Sequence, residues 1–185
     1  MAEPPETAAP AAPAASVDPA DPVAPEEPTI AAERAMLGWM LDRQRAEIAA
    51  ILDALADLPD PETAGRERLV PSLTTPMGLV THATFVERVW FHHRVAGVPR
   101  AELGLPDTVD ASFRIPPEAT LDTLRTSYHA ACARSREIAA EHDLDTTFTW
   151  HDRTVTLRFV HLHMVAELAR HAGHADILLE QLAAR

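Results

Sequence analysis

Four segments of this chain place apolar residues at alternating intervals of three and four. They span residues 30–58, 75–97, 117–142 and 156–183, and the stretches between them are rich in turn residues. This spacing puts the apolar side chains on one face of an α-helix, and four such helices bury those faces by packing together. The sequence therefore predicts an all-α four-helix bundle.

Two of the connecting stretches have a recognisable character. Residues 98–116 contain several prolines, and we expect them to form an ordered loop over one end of the bundle. Residues 147–156 alternate apolar and polar side chains around a polar tripeptide. This alternation favours a short hairpin or an extended loop just before the last helix.

The first 29 residues differ in composition from the rest of the chain. They hold eight of the sixteen prolines and six acids but no base. Such a segment cannot bury enough apolar surface to offset the entropy of ordering, so we interpret residues 1–29 as a disordered acidic tail and residues 30–185 as the bundle domain. The tail also lacks the basic start and apolar run of a secretory signal or membrane anchor.

Composition excludes several classes of function. The formal net charge of −12 repels phosphate backbones, so we do not expect nucleic acid as a partner. No apolar stretch approaches the ~20 residues of a membrane-spanning helix, which predicts a soluble protein without a membrane partner. The single cysteine, Cys132, agrees with a reducing cytoplasm, and its position among alanines in a helical segment indicates a buried, inert thiol.

Titratable residues interrupt the apolar face of the last segment. Glu167, His171 and His174 continue the spacing of an apolar stripe whose other members are Val160, Met164 and Leu178. An unpaired buried polar group costs roughly 1 to 3 kcal/mol, so these side chains need a partner. We favour a metal ion as that partner.

The spacing within this group suits metal binding. Glu167 and His171 are four residues apart, so both can reach one ion from the same turn of a helix. His82, which replaces an apolar residue on the stripe of the second segment, is the best third ligand. Two histidines and one glutamate with open positions are typical of a catalytic site. Alternatively, the Glu167–His171 pair satisfies itself by a hydrogen bond, and His174 could be a fourth ligand, a supporting donor or a proton shuttle.

The chain resembles the DinB-like superfamily of metal-binding bundles, in the actinobacterial branch near the mycothiol-dependent maleylpyruvate isomerases and mycothiol S-transferases. The resemblance covers roughly residues 31–183 and is most specific at residues 79–91 and 163–178. It implies an up-down-down-up four-helix bundle whose metal ligands are His82, Glu167 and His171. Where the typical turn after the last ligand reads Arg-Gly-Gln, this chain has Ala-Gly-His, which adds His174.

The resemblance implies an enzyme that joins mycothiol, a low-molecular-weight thiol, to a small-molecule electrophile. A divalent metal, with zinc favoured over nickel or iron(II), would hold the thiol as a thiolate, and His174 would move a proton. One alternative is hydrolysis by metal-bound water with Glu87 or His174 as the base. Another is a non-catalytic bundle, in which His163 or His174 closes a four-ligand site that stabilises the fold or a homodimer.

Overall fold

The structure, a computed structural model, describes residues 31–185, so the predicted tail over residues 1–29 lies outside the described residues. The described chain is mostly helical and contains one small hairpin. Its helices are α1 (Glu33–Ala56), α2 (Pro61–Arg66), α3 (Pro76–Glu87), α4 (Leu121–Ala140) and α5 (Leu157–Ala183), and its strands are β1 (Thr147–Trp150) and β2 (Arg153–Thr156). The antiparallel pairing of β1 with β2 confirms the predicted hairpin. Within the described chain, no helix is both long enough and apolar enough to cross a bilayer.

Threonine side chains set the starts of three helices. Thr75, Thr120 and Thr156 each accept a hydrogen bond from a backbone N–H in the first turn of the helix that follows. The helix predicted from residue 117 therefore begins at Leu121, because Thr120 provides the cap. The short α2 was not predicted, since six residues show no periodicity.

The second predicted helix changes its geometry halfway along. After α3 the chain continues as a π-helical segment, Arg88–Val95, in which the Ala96 N–H reaches back five residues to the Phe91 carbonyl. The wider turn alters which side chains face inward. His93 is half-buried, whereas its neighbour His92 is only 8% exposed.

The core lies between α1, α3, α4 and α5. α1 packs mainly against α5, α3 against α4, and α3 also contacts α1 and α5. The loop after the π-helical segment folds back as a 3-10 turn, Asp110–Phe113, which packs on α3. Gly78 permits this contact, because a Cβ there would lie 2.9 Å from the Phe113 carbonyl oxygen. The loop is thereby held beside the middle of α3.

The buried face of α5 differs from the predicted stripe at its edges. Val160, Met164, His171 and Leu178 are buried as predicted. The face continues through Leu168 and Ala175, while Glu167 is half-buried and His174 is exposed. The sequence pattern predicted that Glu167 and His174 lie on the buried face. The neighbouring helices instead cover a face that is turned slightly away from them.

Candidate functional site

Three of the predicted site residues converge from two helices. His82 lies on α3, and Glu167 and His171 lie one turn apart on α5. The Nε2 atoms of His82 and His171 are 3.3 Å and 3.2 Å from Oε1 of Glu167. One potential ligand atom from each residue lies within 4.8 Å of the others. These three side chains could hold one metal ion.

A serine on the 3-10 turn orients the His82 ring. The Ser112 hydroxyl donates to the Val109 carbonyl at 2.5 Å, and its oxygen lies 2.7 Å from Nδ1 of His82. Because the single hydroxyl proton is used on Val109, Nδ1–H of His82 is the donor to Ser112. The Nε2 atom of His82 therefore presents its lone pair to the cluster, as a metal ligand must.

Phe113 fixes the plane of the same imidazole. The two rings are stacked, with centroids 4.1 Å apart and an angle of 8° between their planes. Sequence reasoning missed both Ser112 and Phe113, because they lie 30 and 31 residues after His82 in a loop where spacing carries no signal. The missing side chain of Gly78 leaves room for this loop against α3.

The charges of the cluster fit a bound cation. Hydrogen-bond contacts with His171 and then with His82 hold the pKa of Glu167 well below its usual range, against the opposing effect of burial. Burial lowers the pKa of His82, which disfavours its protonated form. With its proton on Nδ1, neutral His82 faces the Glu167 carboxylate at 3.3 Å, and a metal ion between them would remove their repulsion. The protonated ring would instead donate a hydrogen bond to Glu167.

One side of the cluster opens into a cavity of about 610 Å³. His82 and Glu167 lie on its wall together with residues from the π-helical segment, the 98–116 loop and the hairpin. Trp90 and Trp150 form an aromatic side of the cavity, with ring centroids 5.2 Å apart. A small molecule in this space would touch both the triad and the two indoles.

A family model described as mycothiol-S-transferase matches residues 36–184. The chain belongs to the mycothiol-S-transferase family. This match confirms the resemblance to the mycothiol-related DinB-like branch. A comparison with curated proteins found no match.

The sequence predicted two further histidines near the site. The structure of this mycothiol-S-transferase family member places one of them on the cavity wall and the other outside the cavity. His163 is half-buried on the cavity wall, with its ring centroid 4.3 Å from that of Trp90. His174 is exposed and lies outside the cavity, although its ring is 5.6 Å from that of His171. Neither belongs to the three-residue cluster found among residues 31–185.

Glu87, considered above as a base, faces away from the cavity. It is fully buried, and both of its carboxylate oxygens accept hydrogen bonds of 2.8 Å from Arg45 on α1. The pair joins α1 to α3 inside the core. Glu87 is therefore positioned to stabilise the fold rather than to reach a substrate in the cavity.

The lone cysteine is buried, as predicted, on α4. Burial raises the pKa of the Cys132 thiol to about 12, so very little thiolate exists at neutral pH. We expect iodoacetamide at pH 8 to alkylate Cys132 in the native protein at least ~100-fold more slowly than in urea. Mass spectrometry of timed samples would measure both rates, and equal rates would contradict a buried, protonated thiol.

Loss of the Ser112 hydroxyl should weaken metal binding without removing a ligand. Ser112→Ala leaves His82 free to rotate or to change tautomer, and supporting hydrogen bonds of this kind typically contribute a factor of roughly 10 to 100 in metal affinity. Competition with a chromophoric chelator would measure the affinity. Ser127→Ala, which removes a hydroxyl bonded to Arg88 instead, is the matched control. A Ser112→Ala affinity equal to that of the control would show that Ser112 does not position the ligand.

Proposed function

We propose that this protein transfers a low-molecular-weight thiol of the mycothiol type to a small-molecule electrophile, assisted by a divalent metal at His82, Glu167 and His171. The observation that carries the proposal is a triad of potential ligand groups, His82, Glu167 and His171, beside a substrate-sized cavity. Membership of the mycothiol-S-transferase family supplies the thiol. We place the reaction in the cytoplasm, where such thiols are kept reduced.

The donor set favours particular metals. Two imidazole nitrogens and one carboxylate oxygen are a common ligand set for catalytic zinc, and nickel or iron(II) accept the same donors. A divalent cation bound there would lower the pKa of a coordinated thiol and keep it as a thiolate at neutral pH. The negative charge of Glu167 would partly neutralise such a cation.

The remaining groups of the site handle the substrate and its proton. Burial lowers the pKa of His163, so its imidazole is neutral near pH 7 and can accept the thiol proton inside the cavity. We propose that His174, exposed beside His171, exchanges protons with solvent. Trp90 and Trp150 would cover the apolar body of the electrophile and exclude water from it.

The scaffold we propose is an up-down-down-up four-helix bundle made of α1, α3 with its π-helical extension, α4 and α5. In this arrangement the metal ligands come from two facing helices, as is common in bundle metal sites. The hairpin and the 98–116 loop would then close the end of the bundle that holds the cavity.

The alternative functions have less support. Of the bases considered for hydrolysis, Glu87 is held by Arg45 in the core. His163 could serve either reaction, so the family match is what favours thiol transfer over hydrolysis. A structural metal site normally has four protein ligands, and neither His163 nor His174 joins the cluster, which disfavours a purely structural role.

Product analysis would test the proposal. We expect zinc-loaded protein to convert mycothiol and 1-chloro-2,4-dinitrobenzene to the thioether, and His163→Gln to reduce kcat by about 100-fold as a lost general base. His129→Ala, an exposed histidine on α4, is the control and should keep full activity. Formation of the dinitrophenol instead of the thioether would favour hydrolysis, and no reaction of either kind with a range of electrophiles would contradict an enzymatic role.

A further inference from the structure

Two arginines on the cavity wall have no acidic partner within residues 31–185. Arg94 comes from the π-helical segment and Arg100 from the loop that follows it. Arg100 donates one hydrogen bond to the Pro106 carbonyl at 2.6 Å, and neither guanidinium forms an ion pair in this part of the chain. Positive charge on the wall of a cavity is a feature that a negatively charged ligand would complement.

Arg94 is held in place by aromatic rings rather than by hydrogen bonds. Its guanidinium carbon lies 4.5 Å from the ring centroid of Trp90 and 5.6 Å from that of Trp150. Its Nε atom is buried and has no hydrogen-bond partner in the described chain. Cation–π contacts occupy the face of a guanidinium and leave the N–H groups on its edge free to donate.

The acids on the cavity wall do not neutralise these arginines. Glu167 is engaged by His82 and His171, and Asp107 is exposed and forms no ion pair with either arginine. The nearby positive charge of Arg100 adds to burial in lowering the pKa of Arg94, with burial the larger cause. The Arg94 guanidinium nevertheless remains charged at neutral pH. The wall therefore combines unneutralised positive charge with two indoles, of which Trp150 is half-buried and Trp90 is 5% exposed.

We propose that Arg94 and Arg100 bind a carboxylate on the electrophilic substrate, whose flat organic body lies against Trp90 and Trp150. This inference rests on the proposed thiol transfer and names the class of acceptor as an organic carboxylate. The planar fork of a guanidinium matches the two oxygens of a carboxylate, and the indoles match a flat carbon skeleton. Binding of the carboxylate would fix the anionic end of the acceptor and so orient its electrophilic end.

Equilibrium binding tests this assignment without any turnover. Benzoate and benzamide have the same shape and differ in charge, and quenching of tryptophan fluorescence would measure the affinity of each for the full chain. We expect benzoate to bind at least about tenfold more tightly than benzamide, because charge-assisted hydrogen bonds are roughly twice as strong as neutral ones. The preference should persist in both zinc-loaded and EDTA-treated protein. Equal affinities, or a preference present only with zinc, would overturn the assignment.

Variants test whether the two arginines cause the preference for benzoate over benzamide. Arg94→Gln and Arg100→Gln should each weaken benzoate binding about tenfold and leave benzamide binding unchanged. Arg134→Gln removes an exposed arginine of α4 that is paired with Glu137, and it should behave as the parent does. Circular dichroism checks that each variant is folded. If Arg94→Gln does not fold, the benzoate affinity of Arg100→Gln tests the proposal. Unchanged benzoate binding in a folded variant would contradict the proposal.

Kinetics with matched acceptors assigns the carboxylate to the electrophile. Arg94→Gln should raise KM for 4-chloro-3-nitrobenzoate about tenfold and leave KM for 4-chloro-3-nitrobenzamide unchanged. Equal increases for both acceptors would overturn the assignment and indicate a contact with the thiol instead. If neither acceptor reacts, the thiol-transfer proposal fails, whereas the benzoate titration still decides whether these arginines bind carboxylates.

Discussion

Replacing either His82 or His171 with alanine is expected to lower the metal content of the purified protein from roughly one ion per chain to a tenth of that or less. The reason is geometric, since the ligand atoms come from two helices and the loss of one leaves only two donors. Elemental analysis of untagged protein purified without added metal would measure the content. The result would establish whether the His82, Glu167 and His171 cluster holds a metal.

Controls separate this site from adventitious binding by other histidines. His129→Ala removes an exposed histidine on α4 and should leave the content unchanged. Glu167→Gln keeps the side-chain shape but removes the charge, and it should also lower the content. Zinc should raise the melting temperature of the parent but not of the ligand variants, because only a native-state site stabilises the fold. Equal metal content in the parent and all variants would refute the site.

Glu87→Ala is expected to lower the free energy of unfolding by roughly 3 kcal/mol, because it removes the fully buried carboxylate that pairs with Arg45 and leaves only the half-buried Asp42 as its counter-ion. Arg45 is 5% exposed and Glu87 is fully buried, so water cannot replace the lost partner. Urea denaturation followed by circular dichroism would measure the change. Few single substitutions in this protein should lower the free energy of unfolding more. The variant should therefore be measured at low temperature, where it is best able to stay folded.

Two comparisons sharpen this test. Glu137→Ala removes the same type of side chain from an exposed pair with Arg134, and it should cost about 1 kcal/mol or less. The double variant Arg45→Met with Glu87→Leu removes both charges and should recover most of the lost stability. A cost for Glu87→Ala no larger than that for Glu137→Ala would show that the buried pair contributes little. Retained thiol transfer in the double variant would confirm that Glu87 is structural.

Glu87 and His82 illustrate how one helix serves two purposes. His82 faces the cavity and its loop, whereas Glu87, five residues later, reaches Arg45 on α1. From the sequence both were titratable residues in one apolar segment, and both qualified for chemistry. Only the placement of α1 assigns Glu87 to the core, because helical periodicity does not say which neighbour covers each face.

Local patterns determined much of this protein. Spacing of three and four placed the long helices, and alternation of apolar and polar residues placed the hairpin. The four-residue interval between Glu167 and His171 made their convergence a property of a single helix. His82 could be chosen because it interrupts an apolar stripe. The helices, the hairpin and the pairing of Glu167 with His171 were predictable because each depends on residues within a few turns of one another, whereas the role of His82 as a metal ligand stays a prediction.

Contacts between distant segments were decided only by the tertiary structure. The pairing of Ser112 with His82, the contact of the unneutralised Arg94 with two indoles and the exposure of His174 each depend on how loops and helices pack. The π-helical segment also turned His92 inward, although the sequence pattern continued as an ordinary helix. A sequence fixes which residues share a helix face, but the free energy of packing between elements selects which part of that face is covered and which lines a cavity.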